Sequence, residues 1–198
     1  MIDLVEIKEL QERLTISDDQ VAYVRLYRIY FSPLLRFARS FVGAHPVAEE
    51  IVSDAFLHIW EIRKKLSTIR HLTVYLYTCV RNHSLNQLDK QRRESTLLLN
   101  EDSLLIPGSL ADPEEYLITS QLVRQIDNAV RQLPPRCQAI FRLVREEGLK
   151  YREVAEILEI SVKTVEAQIG IAMKKLSEAI QPYTGEKKAS PSHPFQKK

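Results

Sequence analysis

Apolar residues recur every three to four positions along most of this sequence, and this helical period constrains the fold more than any other feature. Only five glycines interrupt the chain, and no segment alternates polar and apolar residues over the length of a strand. One apolar stripe predicts a helix from Val21 to about Phe41, with a kink or break at Pro33. Two more stripes, over residues 47–66 and 72–91, predict helices that share a core with it. The sequence therefore predicts an all-α protein.

The periodicity divides the chain into two small helical domains. It fails between about residues 94 and 115, where Ser, Pro, Gly and acidic residues mix with short apolar patches, so a flexible linker is predicted there. It resumes at Tyr116, and Pro134 and Pro135 should end one helix and start the next. The predicted organisation is a first domain over 1–93, a linker over 94–115, a second domain over 116–183 and a disordered tail over 184–198.

The composition excludes several classes of protein. The first ten residues lack the basic start and apolar core of a secretion signal, and no apolar run is long enough to cross a membrane. A soluble cytoplasmic protein without membrane insertion is therefore expected. Lys and Arg total 28 against 26 Asp and Glu, so only the distribution of charge, not the net value of +2, could indicate a nucleic-acid partner.

The residues that could bind metal are scattered along the sequence. Cys79 and Cys137 are far apart, with no second Cys or His at ligand spacing. An alternative is a helical metalloprotein using His58, His71 and His83, but these lack an i, i+4 pair and carboxylates at ligand spacing. We expect no metal, no cofactor and no catalytic residues.

The segment that begins at Tyr151 has the pattern of a helix-turn-helix. Two apolar faces flank the turn at residues 159–161, Ala155 is small enough for close helix packing, and Ser161 suits the N-cap of the second helix. The exposed start of that helix would meet base edges in a major groove, flanked by phosphate contacts. The alternative is an αα-hairpin with a solvated face. The predicted base contacts are Ser161, Lys163, Thr164, Glu166, Ala167 and Gln168, and the predicted phosphate contacts are Arg152, Lys174 and Lys175.

The segment LPPRCQAIFRLVREEGLKYREVAEILEISVKTVEAQIGIAMKKL resembles region 4 of the sigma-70 family, which recognises the promoter −35 element. Its later part also resembles LuxR-type regulators, so the second domain does not decide between them. Lys150 stands where the family commonly has Ser or Thr, which predicts the loss of a helix cap. Ile171 stands where relatives more often have a polar or basic residue, so it could face a protein partner.

The first domain resembles sigma region 2 in family order. RLYRIYFSPLLRFARSFVG resembles region 2.1, AEEIVSDAFLHIW resembles region 2.2, and YLYTCVRNHSLNQLDKQRR resembles regions 2.3 and 2.4. Region 2.2 binds the β′ clamp helices of RNA polymerase, and regions 2.3 and 2.4 melt and recognise the −10 element. The resemblance implies a polymerase surface in which acids lie beside exposed apolar residues: Glu49, Glu50, Val52, Ser53, Asp54 and Phe56.

Capture of melted DNA requires aromatic and amide groups beside positive charge, and the third helix supplies them. The resemblance places Asn82 at the position that contacts a flipped −10 base and residues 67–71 in the loop that forms its pocket. Tyr75 and Tyr77 could instead be core aromatics, although two residues two apart cannot both face inward. The predicted −10 contacts are His71, Tyr75, Tyr77, Arg81, Asn82, Asn86 and Arg92.

Together these segments resemble the extracytoplasmic-function (ECF) type of sigma factor. The resemblance implies a transcription initiation factor with no enzymatic activity. Its implied partners are core RNA polymerase, through the β′ clamp helices and the β flap, promoter DNA and an anti-sigma factor. The alternative LuxR-type regulator would need a ligand-binding or phosphoacceptor domain upstream, whereas the upstream half here is helical and has no Asp at a strand end.

Overall fold

The computed structural model describes residues 4–97, 126 and 128–184, and these contain helices and no strand. The all-α prediction is confirmed. Most of the predicted linker, the start of the predicted second domain and nearly all of the tail lie outside the described residues. The helices are α1 (Leu4–Ser17), α2 (Gln20–Val42), α3 (His45–Glu61), a 3₁₀ segment (Arg63–Thr68), α4 (Leu72–Leu97), α5 (Pro135–Arg145), α6 (Tyr151–Leu158) and α7 (Val162–Thr184).

Helix α1 is an element that the sequence pattern did not predict. It buries Ile7, Leu10 and Leu14, which lie on one side of the helix, against the 3₁₀ segment and α2. Asp19 then caps α2 by accepting hydrogen bonds from the backbone N–H groups of Val21 and Ala22 at 2.8 and 3.1 Å. The first domain therefore contains four α-helices, which agrees with a prediction of a three- or four-helix bundle.

Helix α2 continues through Pro33, so of the predicted kink or break at this residue the break is wrong. A proline removes one backbone donor from the helix. The buried side chains on either side, Leu26, Tyr30, Leu34 and Phe37, keep helical spacing and pack into one core across it. Packing of this face offsets the lost hydrogen bond. Helix α2 ends at Gly43, whose φ of 72° favours glycine and whose N–H donates to the Arg39 carbonyl at 2.9 Å.

The helix-turn-helix forms as predicted from α6 and α7. Glu159 adopts a left-handed conformation with φ 51°, and the Ile160 N–H donates to the Ala155 carbonyl at 3.0 Å. The Ser161 hydroxyl accepts from the Thr164 N–H at 3.0 Å and so caps α7. At the start of α6 the Lys150 side chain cannot accept a hydrogen bond, but the Glu153 carboxylate accepts from the Lys150 N–H at 2.7 Å. This contact supplies half of a capping box.

The two helical units pack against each other. Helix α4 lies along α6, and α2 contacts α5. Buried residues of both units, such as Val80 of α4 and Val154 of α6, belong to one apolar cluster. A smaller cluster, which includes Cys137 and Ala172, joins α5 to α7. Helix α4, which follows the 3₁₀ segment, is therefore partly covered by the helix-turn-helix unit.

Candidate nucleic-acid interface

Helix α4 presents a row of polar and aromatic side chains on one face. Tyr75, Asn82 and Asn86 are separated by seven and four residues, which aligns them along the helix; we call these three residues the α4 stripe. Asn82 and Asn86 are exposed, and Tyr75 is half-buried. His71 is exposed just before the helix, and Arg92 is exposed near its far end, 3.9 Å from Asp89. The structure therefore brings five of the seven predicted −10 residues to accessible positions.

The ring of Tyr75 is held by its neighbour on α3. Its hydroxyl hydrogen-bonds to His58 Nε2 at 2.8 Å, and the two rings stack with an interplanar angle of 24°. Burial raises the pKa of Tyr75 to about 12, so the phenol keeps its proton at neutral pH. An oriented, neutral aromatic ring beside two amides suits stacking with an unpaired base.

Tyr77 is a core residue, and its assignment to the DNA surface is wrong. Its side chain is 1% exposed and packs edge-on against Phe37, with ring centroids 5.0 Å apart. Tyr77 and Glu147 of the second unit line the same small cavity. Residues two positions apart lie on nearly opposite sides of a helix, so Tyr75 reaches the surface while Tyr77 faces the core.

Arg81 lies at the boundary between the two units. Its Nη1 is 2.7 Å from Glu159 Oε1 and 3.2 Å from Asn82 Oδ1, and its side chain is 12% exposed. The hydrogen bond from Arg81 holds the pKa of Glu159 below its usual range. Since Glu159 lies in the turn of the helix-turn-helix, Arg81 can contact a phosphate only after α4 and this turn separate.

Helix α7 presents most of its predicted base contacts to solvent. Its apolar residues Val165, Ile169 and Ala172 are buried against α5 and α6. The exposed predicted contacts of this unit are Arg152, Ser161, Lys163, Glu166, Ala167, Lys174 and Lys175, whereas Thr164 and Gln168 are half-buried. Thr164 takes part in the cap with Ser161, so its hydroxyl is engaged at 2.8 Å. Ile171 is 43% exposed on the same helix.

The polymerase surface predicted on α3 needs correction. Val52 and Phe56 are 0% and 2% exposed, because they lie on the apolar stripe that packs against α2. The acids Glu49, Glu50 and Asp54 are exposed, Ser53 is half-buried, and the apolar residue beside them is Leu57, which is 60% exposed. Glu50, Ser53, Asp54 and Leu57 share one side of the helix, and we call them the α3 face. Leu57 was detectable as an apolar residue outside the stripe.

A buried carboxyl group lies where the second unit meets the first. The Glu147 side chain is 9% exposed and 3.9 Å from the Arg36 guanidinium. Burial raises the pKa of Glu147 above its usual value; Arg36 opposes this shift and Glu146 adds to it. The packed state therefore binds a proton more tightly than a state in which the units have separated.

The pH dependence of this packing follows from the direction of that shift. The stabilisation of the packed state by the protonated Glu147 carboxyl is fully present below the ordinary pKa of Glu. It is lost as the pH rises from there through the raised pKa. We expect the radius of gyration from small-angle scattering to increase across this window. Glu147→Gln should stay compact throughout, because an amide does not ionise. A variant that expanded with pH as the wild type does would show that another group is responsible.

Two helical units, one with an amide-rich helix and one with an exposed helix-turn-helix, define a DNA-binding protein. The sequence models "Sigma-70 region 2" and "Sigma-70, region 4" match residues 26–94 and 123–176. The chain belongs to the sigma-70 family, in its ECF group, and is a promoter-recognising sigma factor. The match to region 2 disfavours the LuxR-type alternative, since that alternative places an unrelated domain before the helix-turn-helix.

Named relatives support the same group. The chain is 24% identical to an ECF RNA polymerase sigma-E factor of Haemophilus influenzae over 83% of this chain and 90% of that protein. It is 25% identical to the RNA polymerase sigma factor CnrH of Cupriavidus metallidurans, over 81% of this chain and 87% of that one. It is 23% identical to the RNA polymerase sigma-H factor of Pseudomonas aeruginosa over 88% of this chain and 94% of the other.

Solved structures show the same fold. The sigma factor RpoE of Bartonella quintana, in complex with the anti-sigma factor NepR, has a TM-score of 0.58 and 21% identity, covering 80% of this chain and 96% of that one. CnrH in complex with the cytosolic domain of CnrY has a TM-score of 0.54 and 21% identity, covering 90% of this chain and 99% of that one. Within the described ranges, no helix is long and apolar enough to span a membrane, and no cluster of His, Cys, Asp and Glu could hold a metal ion.

Proposed function

We propose that this chain binds core RNA polymerase through the α3 face, recognises and holds the melted −10 strand with the α4 stripe, and recognises the −35 element with the exposed side of α7. It acts in the cytoplasm and catalyses no reaction of its own. The observation that supports this division most directly is the α4 stripe, where two exposed amides follow an oriented aromatic ring along one helix face.

The energy for opening the promoter comes from stronger binding to unpaired bases than to duplex DNA. Each base stacked on an aromatic side chain contributes about 1–3 kcal/mol, and amides add hydrogen bonds to base edges that are accessible only after melting. Phosphate contacts from Arg92, and from Lys174 in the other unit, contribute without regard to sequence. Affinity for promoter DNA should therefore fall steeply as the salt concentration rises.

An anti-sigma factor is the expected regulatory partner, since the similar fold of RpoE from Bartonella quintana is in complex with one. A tightly packed arrangement of the two units covers Arg81 and so is incompatible with its role at the −10 element. We propose that polymerase binding, with the second unit on the β flap, favours the separated arrangement. Ile171 offers an exposed apolar contact on α7 for one of these proteins.

Glu166→Ala and Lys174→Ala provide a matched test of −35 recognition. Loss of a base contact by Glu166 should relax the preference at one position of the −35 element, at a cost of about 1–3 kcal/mol on the preferred sequence. Loss of a phosphate contact by Lys174 should weaken binding to all sequences alike and reduce the salt dependence. Holoenzyme binding to a pool of fragments with randomised −35 sequence measures both. Unchanged base preference in Glu166→Ala would contradict base recognition by this part of α7.

A further inference from the structure

Gln11 of α1 connects this helix to the loop that precedes α4. It is one of the few buried polar side chains among the described residues, with 6% exposed. Its amide nitrogen donates two hydrogen bonds, to the backbone carbonyl of Leu66 and, at 2.7 Å, to that of Ile69. Both amide hydrogens of Gln11 are therefore used to hold the backbone at the start of the loop formed by residues 67–71, which we call the 67–71 loop.

Thr15 makes a third contact one helical turn further along α1. Its hydroxyl accepts a hydrogen bond from the Ser67 N–H at 3.1 Å and donates one to the backbone carbonyl of Gln11 at 2.9 Å. Leu66, the apolar residue just before the loop, is fully buried in the same region. Helix α1 thus fixes two carbonyl groups and one N–H group of this backbone from outside.

The 67–71 loop begins with the last two residues of the 3₁₀ segment and makes few hydrogen bonds of its own. Within and just before it, the backbone makes the Ile69 N–H to Leu66 carbonyl bond at 3.0 Å, and the Thr68 hydroxyl donates to the Lys65 carbonyl. Ser67, Thr68, Arg70 and His71 are exposed, and Ile69 is the one loop residue that packs against the core. A buried glutamine costs more than an apolar residue unless its polar atoms are bonded, and here the bonds are all to this backbone. Gln11 is therefore better explained by the loop than by the core.

We propose that Gln11, with Thr15, is a positioning residue that sets the conformation of the 67–71 loop and thereby the base preference at one position of the −10 element. The region 2 sequence model begins at residue 26, so α1 lies outside the matched part of the chain. The inference rests on the proposed function, and on the family resemblance that places the 67–71 loop around a flipped −10 base. Gln11 itself does not contact the DNA.

The test compares Gln11→Leu and Thr15→Val with Arg13→Ala. The first two keep nearly the same volume and remove the hydrogen bonds to this backbone; Thr15→Val also removes the bond from the Thr15 hydroxyl to the Gln11 backbone carbonyl within α1. Arg13 lies on the same helix but pairs with Asp19, at 2.7 Å, away from the loop. Each variant is assembled with core RNA polymerase, transcribed on a pool of duplex fragments with randomised promoter sequence, and the transcripts are sequenced. We expect the preference at one −10 position to fall about tenfold in Gln11→Leu and Thr15→Val, with no change in Arg13→Ala.

A uniform drop in transcript yield with unchanged base preference would overturn the inference, because that is the effect of a purely structural residue. If Gln11→Leu does not fold, as judged by circular dichroism, Thr15→Val alone decides by the same criterion. Asn82→Ala in the same experiment distinguishes a failure of the role of Gln11 from a failure of the proposed −10 site. A changed −10 preference in Asn82→Ala but not in the α1 variants overturns only the role of Gln11, whereas an unchanged preference in all of them overturns the proposed −10 site as well.

Discussion

Replacement of Asn82 by Ala is expected to lower open-complex formation on a −10-dependent promoter by on the order of tenfold to a hundredfold, while binding to core RNA polymerase stays unchanged. Asn82 is exposed at the centre of the α4 stripe, and its amide can both donate to and accept from a base edge. An alanine leaves that edge without a partner in a site from which water has been displaced. Fluorescence of 2-aminopurine in the −10 element measures the melting directly.

Gln87→Ala is the matched control for this prediction. Gln87 lies five residues further along the same helix but points away from the α4 stripe, so its truncation removes a similar amide from the helix interior. Melting should be close to wild type in this variant. An equal loss in both variants would show that the effect arises from α4 as a whole, and normal melting in Asn82→Ala would remove this residue from the −10 site.

Leu57→Asp is expected to weaken binding to core RNA polymerase by at least about thirtyfold, corresponding to roughly 2 kcal/mol or more for a central interface residue. Leu57 is 60% exposed beside Glu50 and Asp54, so it adds an apolar centre to an acidic surface. A carboxylate in its place would be buried without a partner in the complex. The free protein should keep its stability, because the side chain is mostly in water.

Ile16→Asp supplies the control, since Ile16 is 79% exposed on α1 and outside the α3 face. Dissociation constants for core polymerase, measured by fluorescence anisotropy with labelled protein, should separate the two variants. If Leu57→Asp bound as tightly as Ile16→Asp and the wild type, the polymerase surface would have to lie elsewhere on this unit.

Helix caps and helix starts could be predicted from the sequence, because they depend on residues that are close together in the chain. Ser161 was expected to cap α7 because a Ser before an amphipathic run satisfies the free N–H groups of the first turn, and it does so. Pro134 and Pro135 likewise marked a helix start, as the N-cap and the first residue of α5. The same reasoning failed at Val52 and Phe56, which belong to the buried stripe of α3; the acids beside them suggested an exposed surface that only Leu57 completes.

Contacts between distant residues could not be predicted from the sequence. Arg81 and Glu159 are 78 positions apart, and no periodicity links them. Helix α1 was not predicted because its acidic and apolar residues alternate over a short segment. Which of its sides is buried becomes clear only in the structure, where the 3₁₀ segment covers that side. The hydrogen bonds from Gln11 to the carbonyls of Leu66 and Ile69 could not be predicted for the same reason. A glutamine in a helix carries no sign of a partner more than fifty residues away.

Reconstitution with core RNA polymerase is the most direct test of the proposed function. Purified protein should co-elute with core polymerase in gel filtration, and the mixture should give specific run-off transcripts from a randomised promoter pool that core polymerase alone does not give. Transcripts that share two conserved elements, with the downstream preference altered in Asn82→Ala, would confirm a sigma factor that recognises −10 DNA through α4. Duplex DNA binding without any binding to core polymerase would contradict it.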